Sequence, residues 1–510
     1  MGRASAGEHT AKSVPITIER NVDVPLRDGV RTSAEIWRPA HGSNGPAILI
    51  RTPYGKEDTI PSGQIDPRMA ADRGYAIVVQ DVRGTGESDG AFEPYVAEAS
   101  DGYDTVEWVA NQPWCDGRVV MAGSSYVGLT QWLAASAAPP NLVAFSPCLS
   151  SDTPGEGWSF RNGVLEHGFL SSWVVASLVP PEEQWLDRIE EVFADPELAV
   201  ATAPWSKHWF TEPVHAAYWR MRSVDPDGPA HDLPKLSIGG WYDVFVDATL
   251  RAHARGRNPW DRLIVGPWGH DGKLSHLVGD RNLGGAGEGF TYGMAQRTLD
   301  FYDAVLAGRA PDLPPVSVYV LGADRWADLP SWPPPGARTH ELALGSGTFT
   351  VVAGEAPPTR GGRGLVSMLP GRGFGPRDQR SLADRGDVLA LPLPSLGSEC
   401  VLAGPVTAHL TVAPGNGEGE RDWVVTLCLQ SRDGSWDNLT EGIARVPATS
   451  DEVVVPLGDV CVQIAEGARL VALIAGASFP RWDQASAPGP RVVREGSRVE
   501  LTLADVRTAG

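Results

Sequence analysis

The chain of 510 residues is too long for one hydrophobic core, so two or three domains are expected. Its 42% apolar and 21% charged residues are those of an ordinary globular protein. A net charge of −20 excludes nucleic acid as a partner, because phosphates would be repelled.

No apolar run reaches the roughly 18 residues needed to cross a bilayer, so no membrane association is expected. Residues 1–13 are polar, read as a disordered tail, and lack the apolar stretch of a signal peptide, which makes the cytoplasm the expected location. Cys115, Cys148, Cys400, Cys428 and Cys461 are scattered without paired spacing. They predict buried thiols, and neither a disulfide framework nor a metal or other cofactor.

Residues 15–20, 22–25 and 31–38 alternate apolar and polar positions around the turn Arg27-Asp28-Gly29, predicting two or three antiparallel edge strands. Buried-type strands follow at 47–52 and 75–81, with a short helix at 69–73 between them. The Gly-rich loop at 81–88 completes no phosphate-binding motif. A helix at 101–111 precedes a strand at 118–122, a turn with serine at its apex, a helix to about residue 138 and a strand at 142–145. Strands alternating with helices in this way predict a parallel sheet.

From 147 to 231 strand-like runs stop, and Trp158, Trp173, Trp185, Trp205, Trp209 and Trp219 sit among helix formers such as 184–193. This predicts an all-helical cap inserted into the sheet domain, above the strand ends where such sheets bind ligands. The alternation resumes at 236–239, 245–256, 262–265 and 295–306, giving a discontinuous catalytic domain of 1–146 and 232–308. After the proline-rich linker at 311–315, short alternating strands at 316–321, 339–344, 408–412, 423–429, 452–456, 469–475 and 498–502 predict an antiparallel jelly-roll sandwich spanning 309–510.

A strand turning sharply into a helix can hold a serine hydroxyl clear of the sheet, with helix-start amides facing any oxyanion. Gly123-Ser124-Ser125-Tyr126-Val127-Gly128 has that form. A serine nucleophile needs a histidine base and an acid that orients it, in the order Ser, Asp or Glu, His in α/β-hydrolases. Asp243 follows the strand at 236–239 and His270 follows the strand at 262–265, so both stand in that order at strand ends. Singly, each has a plainer reading as a turn, a helix cap or a loop histidine. Together their order and placement predict an α/β-hydrolase triad of Ser125, Asp243 and His270. One feature departs from the generic Gly-x-Ser-x-Gly elbow: Val127 occupies the second position after the serine, and glycine comes one later.

The set Arg51-Thr52-Pro53-Tyr54-Gly55, Asp81-Val82-Arg83-Gly84, Gly-Ser-Ser-Tyr-Val-Gly at 123–128, Gly240-Trp241-Tyr242-Asp243 and Gly266-Pro267-Trp268-Gly269-His270 resembles the cocaine-esterase-like CocE/NonD serine hydrolases of the X-Pro dipeptidyl-peptidase superfamily. In that family Gly-x-Ser-Tyr-x-Gly is the normal elbow. The likeness continues through Gly322-Ala323-Asp324-Arg325-Trp326, Asp378-Gln379-Arg380, Leu439-Thr440-Glu441-Gly442 and Phe479-Pro480-Arg481, and thins after Arg481.

The resemblance implies that Ser125 attacks an acyl carbonyl, His270 carries the proton and Asp243 orients the imidazolium. It further implies that the Tyr126 amide and the Tyr54 hydroxyl hold the oxyanion. Trp158, Trp173, Phe245 and Leu365 match positions lining the acyl site. Relatives acting on α-amino-acid esters carry carboxylates just after the triad aspartate, whereas Val244-Phe245-Val246 stands here; an apolar wall would desolvate an ammonium without pairing it. The expected function is therefore hydrolysis of small to medium carboxylic esters through an acyl-enzyme, on a small-molecule substrate, with a homodimer as a compatible assembly. An amidase, peptidase or acyl transferase would need the same residues. A catalytically silent binding protein would not need Tyr54, Ser125, Asp243 and His270 together.

Overall fold

The computed structural model describes residues 14–506 apart from 41, 43, 60–62, 179–188, 271–273, 365–373, 416, 418, 432–433 and 484–486. The expected tail at 1–13, Trp185 with the start of the expected helix at 184–193, and Leu365 lie outside the described residues.

The chain opens with β1 (Ile16–Pro25) and β2 (Arg31–Pro39), an antiparallel hairpin with a bulge after Glu19. Next come β3 (Gly45–Thr52), helix α1 (Pro67–Asp72) and β4 (Ala76–Asp81). β4 is buried throughout, as branched residues at the centre of a parallel sheet should be. Helix α2 (Glu98–Ala110), β5 (Cys115–Ser124), helix α3 (Tyr126–Ser136) and β6 (Leu142–Cys148) continue the alternation. After the insertion it resumes with β7 (Leu236–Tyr242), helix α5 (Val246–Ala254), β8 (Arg262–Gly269) and helix α6 (Met294–Leu306), where α4 (His167–Ser177) is the long helix of the insertion.

Two further strands, β9 (Val316–Val320) and β10 (Arg325–Leu329), complete a ten-stranded sheet ordered β1-β2-β4-β3-β5-β6-β7-β8-β9-β10. This corrects the sequence reading, which gives the strand at 316–321 to the sandwich. β9 pairs in parallel with β8, Leu263 opposite Val316 and Val265 opposite Val318. All five of its residues are buried, so it is a two-sided interior strand and lacks the half-solvated alternation of a sandwich strand.

The insertion between β6 and β7 contains α4 and shorter helices such as Ile189–Ala194, Lys207–Thr211 and Ala217–Arg220. It is not all-helical: Phe160–Arg161 pairs with Val164–Leu165 in a small hairpin. Asn162 and Gly163 both have positive φ, 51° and 77°, which is what a two-residue hairpin turn demands.

Beyond β10, one four-stranded sheet contains Arg338–Ala343, Arg498–Ala504, Cys400–Thr411 and Glu452–Ile464. A second contains Val388–Pro392, Arg469–Ala475, Glu420–Gln430 and Trp436–Pro447, giving an all-β antiparallel sandwich. Trp241, Tyr242, Val246 and Leu250 share one apolar core with sandwich residues such as Leu402, Val455 and Leu457. The chain just past β7 therefore rests on the sandwich.

Candidate active site

Ser125 sits between β5 and α3 with φ 61° and ψ −129°, a strained backbone for a residue with a side chain. The surroundings over-determine it. Its N–H donates to Cys148 O at 2.9 Å, and its carbonyl accepts from Ser150 Oγ at 2.8 Å. Gly123 has φ 138°, and a Cβ there would meet Val127 Cγ1 at 2.2 Å. Gly128 lies against the chain after β6, where a Cβ would meet Ser150 Cβ at 2.5 Å. The departure from the generic elbow thus has a packing cause. Val127 fills the space over Gly123, and the glycine is required where α3 crosses the end of β6.

Asp243 and His270 leave neighbouring strands, β7 and β8, at their C-terminal ends. His270 Nδ1 lies 2.7 Å from Asp243 Oδ1, and His270 Nε2 lies 2.9 Å from Ser125 Oγ. Asp243 is fully buried, and its other oxygen accepts from the Phe245 N–H at 3.0 Å. The structure thus joins all three sequence-predicted residues in one hydrogen-bonded line.

Tyr126 is the first residue of α3, so its N–H has no acceptor within the helix and lies beside the serine. Its side chain points elsewhere: the hydroxyl donates to Glu98 Oε1 at 2.9 Å and accepts from the Tyr95 N–H. Glu98 in turn pairs with the buried Arg51 at 2.9 Å. Arg51 and Thr52 anchor the loop after β3, with Thr52 Oγ1 accepting from the Tyr54 N–H. At the end of β4, Asp81 takes the Lys56 N–H at 2.6 Å and the Lys56 ammonium at 3.1 Å. The Asp-Val-Arg-Gly motif is therefore a buttress for the loop that carries Tyr54.

The Tyr54 hydroxyl accepts from the Trp173 indole N–H at 3.1 Å. With a lone pair engaged there, its O–H can be aimed towards Ser125. Burial pushes that hydroxyl up to about 12, against the opposing hydrogen bonds of Trp173 and Ser125, so it keeps its proton at neutral pH.

Trp158, Trp173 and Phe245 form a packed aromatic wall that touches His270 and Tyr54. Trp158 stacks on Phe245 at 4.3 Å, and Phe245 meets the His270 ring edge-on at 5.2 Å. Phe169 and Tyr95 extend the wall around Trp173. At the serine lies an open cavity of about 290 Å³, lined by Ile50, Tyr54, Gln64, Ser125, Cys148 and Leu274 and by none of Trp158, Trp173 and Phe245, with the exposed Asp58 also in its wall. Gln64 is held by accepting from the Gly123 N–H and donating to Ser146 O. Sequence reasoning misses Ile50, Gln64, Cys148 and Leu274. The one available signal was position, since Ile50 lies near the end of β3 and Cys148 ends β6, on the ligand-binding edge of a parallel sheet.

This fold and this hydrogen-bonded line define a serine hydrolase of the α/β-hydrolase fold with an appended β-sandwich. Residues 28–272 match the X-Pro dipeptidyl-peptidase (S15) family, and residues 309–503 match the X-Pro dipeptidyl-peptidase C-terminal non-catalytic domain. The chain is 29% identical to the cocaine esterase of Rhodococcus sp. (strain MB1 Bresler), over 94% of each chain. Among solved structures it is similar to an α-amino acid ester hydrolase, with 20% identity, 98% and 100% of the two chains covered and a TM-score of 0.76. An aminopeptidase from a marine sediment Thaumarchaeota archaeon gives the same TM-score with 22% identity over 97% of each chain. The chain belongs to the cocaine-esterase-like CocE/NonD serine hydrolases of the X-Pro dipeptidyl-peptidase superfamily. Among the described residues no helix is long and apolar enough to cross a membrane.

Proposed function

We propose that this enzyme is a serine carboxylesterase that cleaves small to medium esters through an acyl-enzyme. The observation that carries the reading is the line Asp243 Oδ1, His270 Nδ1, His270 Nε2, Ser125 Oγ, closed at 2.7 and 2.9 Å. Ser125 Oγ adds to the ester carbonyl while His270 Nε2 takes its proton, and Asp243 stabilises the imidazolium. The Tyr126 N–H and the Tyr54 O–H donate to the oxyanion. As the tetrahedral intermediate collapses, His270 returns the proton to the departing alcohol. Water then repeats the sequence on the acyl-enzyme: His270 takes its proton, the carboxylic acid leaves and Ser125 is restored.

The open cavity of about 290 Å³ at Ser125 has room for a small to medium ester, whereas the aromatic wall is packed shut. Its burial argues against an ammonium beside the acyl carbon. Phe245 is fully buried, and the carboxylates of Glu166 and Asp247 are already paired with arginines.

Ser125→Ala is expected to abolish p-nitrophenyl ester hydrolysis in a folded protein, and a serine-directed phosphonate should be found on Ser125 by mass spectrometry. Near-wild-type turnover in Ser125→Ala, or an adduct elsewhere, would refute the assignment. A panel varying acyl size separately from leaving group, with amide analogues included, should show ester cleavage outrunning amide cleavage; the reverse would favour the amidase reading.

A further inference from the structure

Six charged residues from three parts of the chain form a ring beside the candidate site, closed at one point by a main-chain N–H. Asp247, at the start of α5, pairs through one oxygen with Arg161 of the insertion and through the other with Arg363 of the sandwich. Arg161 Nε reaches Glu166 at 3.2 Å, and Glu166 takes a two-point grip from Arg481, at 3.0 and 3.1 Å. Arg481 also pairs with Glu441, which accepts from the Arg363 N–H at 3.0 Å and completes the circuit. Three cations alternate with three carboxylates. All are buried except Asp247, which retains 21% of its side-chain surface.

Two contacts tie this ring to the turn that carries Asp243. Arg363 Nε donates to Trp241 O at 3.1 Å, and Arg161 Nη2 donates to Val244 O at 3.1 Å. Those carbonyls stand two residues before and one after the aspartate, so the turn is gripped from both sides. Two glycines leave room for the grip. A Cβ at Gly458 would lie 2.5 Å from Arg363 Nη1 and from Asp247, and one at Gly362 would lie 1.9 Å from Glu441 Oε1.

We infer that Arg363, from the sandwich, and Arg161, from the insertion, are positioning residues that hold the Asp243 turn in register with His270. This rests on reading Asp243 as the acid that orients His270. A buried ion-pair network adds little net stability against an apolar replacement. Geometry is where it can act, because a misplacement of about 1 Å at a reacting centre can cost about 10²-fold in rate.

The test compares Arg363→Lys, Arg363→Met and Arg161→Lys with Arg445→Met. Arg445 pairs with Asp422 and Asp483 inside the sandwich, away from the Asp243 turn. Turnover is normalised to phosphonate-titrated active sites, so loss of folded protein does not count. The downfield proton resonance of the His270–Asp243 hydrogen bond, identified by its disappearance in His270→Ala, is recorded without substrate.

The ring variants should lose about tenfold or more in kcat per titrated site, with KM within about twofold and the resonance shifted or broadened. Arg445→Met should lower Tm while leaving kcat per site and the resonance unchanged. If Arg363→Met does not fold, the two lysine variants carry the comparison, because they retain the cation and lose the fork. Wild-type kcat per site with an unshifted resonance in the lysine variants would overturn the inference, as would an equal loss in Arg445→Met. Failure of the wild-type protein to take up phosphonate would instead refute the serine-esterase reading, leaving the resonance to judge the ring.

Discussion

Two regions next to Ser125, the aromatic wall and the open cavity, are built differently. The aromatic wall is closed, with rings packed on one another and on His270, and the Trp173 indole reaches from it to Tyr54 on the loop after β3. The cavity at the serine is open and mixed, with Ile50 and Leu274 beside Gln64, Thr59 and Asp58, near the ends of strands β3 and β6. A packed wall can hold a donor still and exclude water, which is what oxyanion stabilisation needs. An open cavity can change size at Ile50 and Leu274 while the Trp173 contact still holds Tyr54. The contrast assigns chemistry to the wall side and size selection to the cavity side.

The largest effect should come from the atoms both sides share. His270→Ala is expected to reduce kcat/KM for p-nitrophenyl esters by roughly 10⁴-fold or more, read in protein of unchanged circular dichroism. On the wall side, Tyr54→Phe should lower kcat by about 10²–10³-fold with little change in KM; an effect confined to KM would remove Tyr54 from the oxyanion. Trp173→Phe deletes the N–H together with part of the ring system, so at least one hydrogen bond's worth of positioning should be lost, roughly fivefold to tenfold in kcat. On the cavity side, Leu274→Ala and Ile50→Ala should shift the preference between large and small esters by about 1–3 kcal/mol while leaving kcat for the smallest ester alone. A large fall in kcat for every ester would break the division.

The smallest expected effect is on stability against pH. Burial alone would raise the Asp247 carboxyl, but Arg161 and Arg363 hold it at about 2, below the ordinary value of 3.8. Its contribution is therefore complete above about pH 4 and is lost as pH falls towards 2, a loss of roughly 2 kcal/mol. Chemical denaturation followed over that window in wild-type protein and Asp247→Asn should show a shallower acid slope in the variant.

The elements that carry local signals were legible in the sequence. The serine turn, the strand ends before Asp243 and His270, and the alternation of the parallel sheet each reside in one short stretch. Gly128 was legible as a departure, while its cause, the side chain of Ser150, lies more than 20 residues away and needed the fold. The cavity was not legible, because Ile50, Cys148 and Leu274 come from separate stretches and each reads as ordinary core. The ring was not legible for the same reason: Arg161, Asp247 and Arg363 read as solvated surface charge, and Arg481 and Glu441 stand in family motifs that do not say what they pair with. The β9 strand was misassigned because VSVYV follows a proline linker, and a linker suggests a boundary that the pairing with β8 does not respect.

That pairing has a practical consequence. The proline-rich linker at 311–315 invites cutting the chain there to obtain the catalytic portion alone. A protein ending at 308 would lack β9 and β10, and β8, whose every residue is buried in the whole molecule, would become a bare sheet edge. Unpaired apolar edges recruit other chains. A truncation that keeps residues through Leu329 would keep the β9 and β10 pairings, so the safer place to divide this enzyme lies beyond its linker.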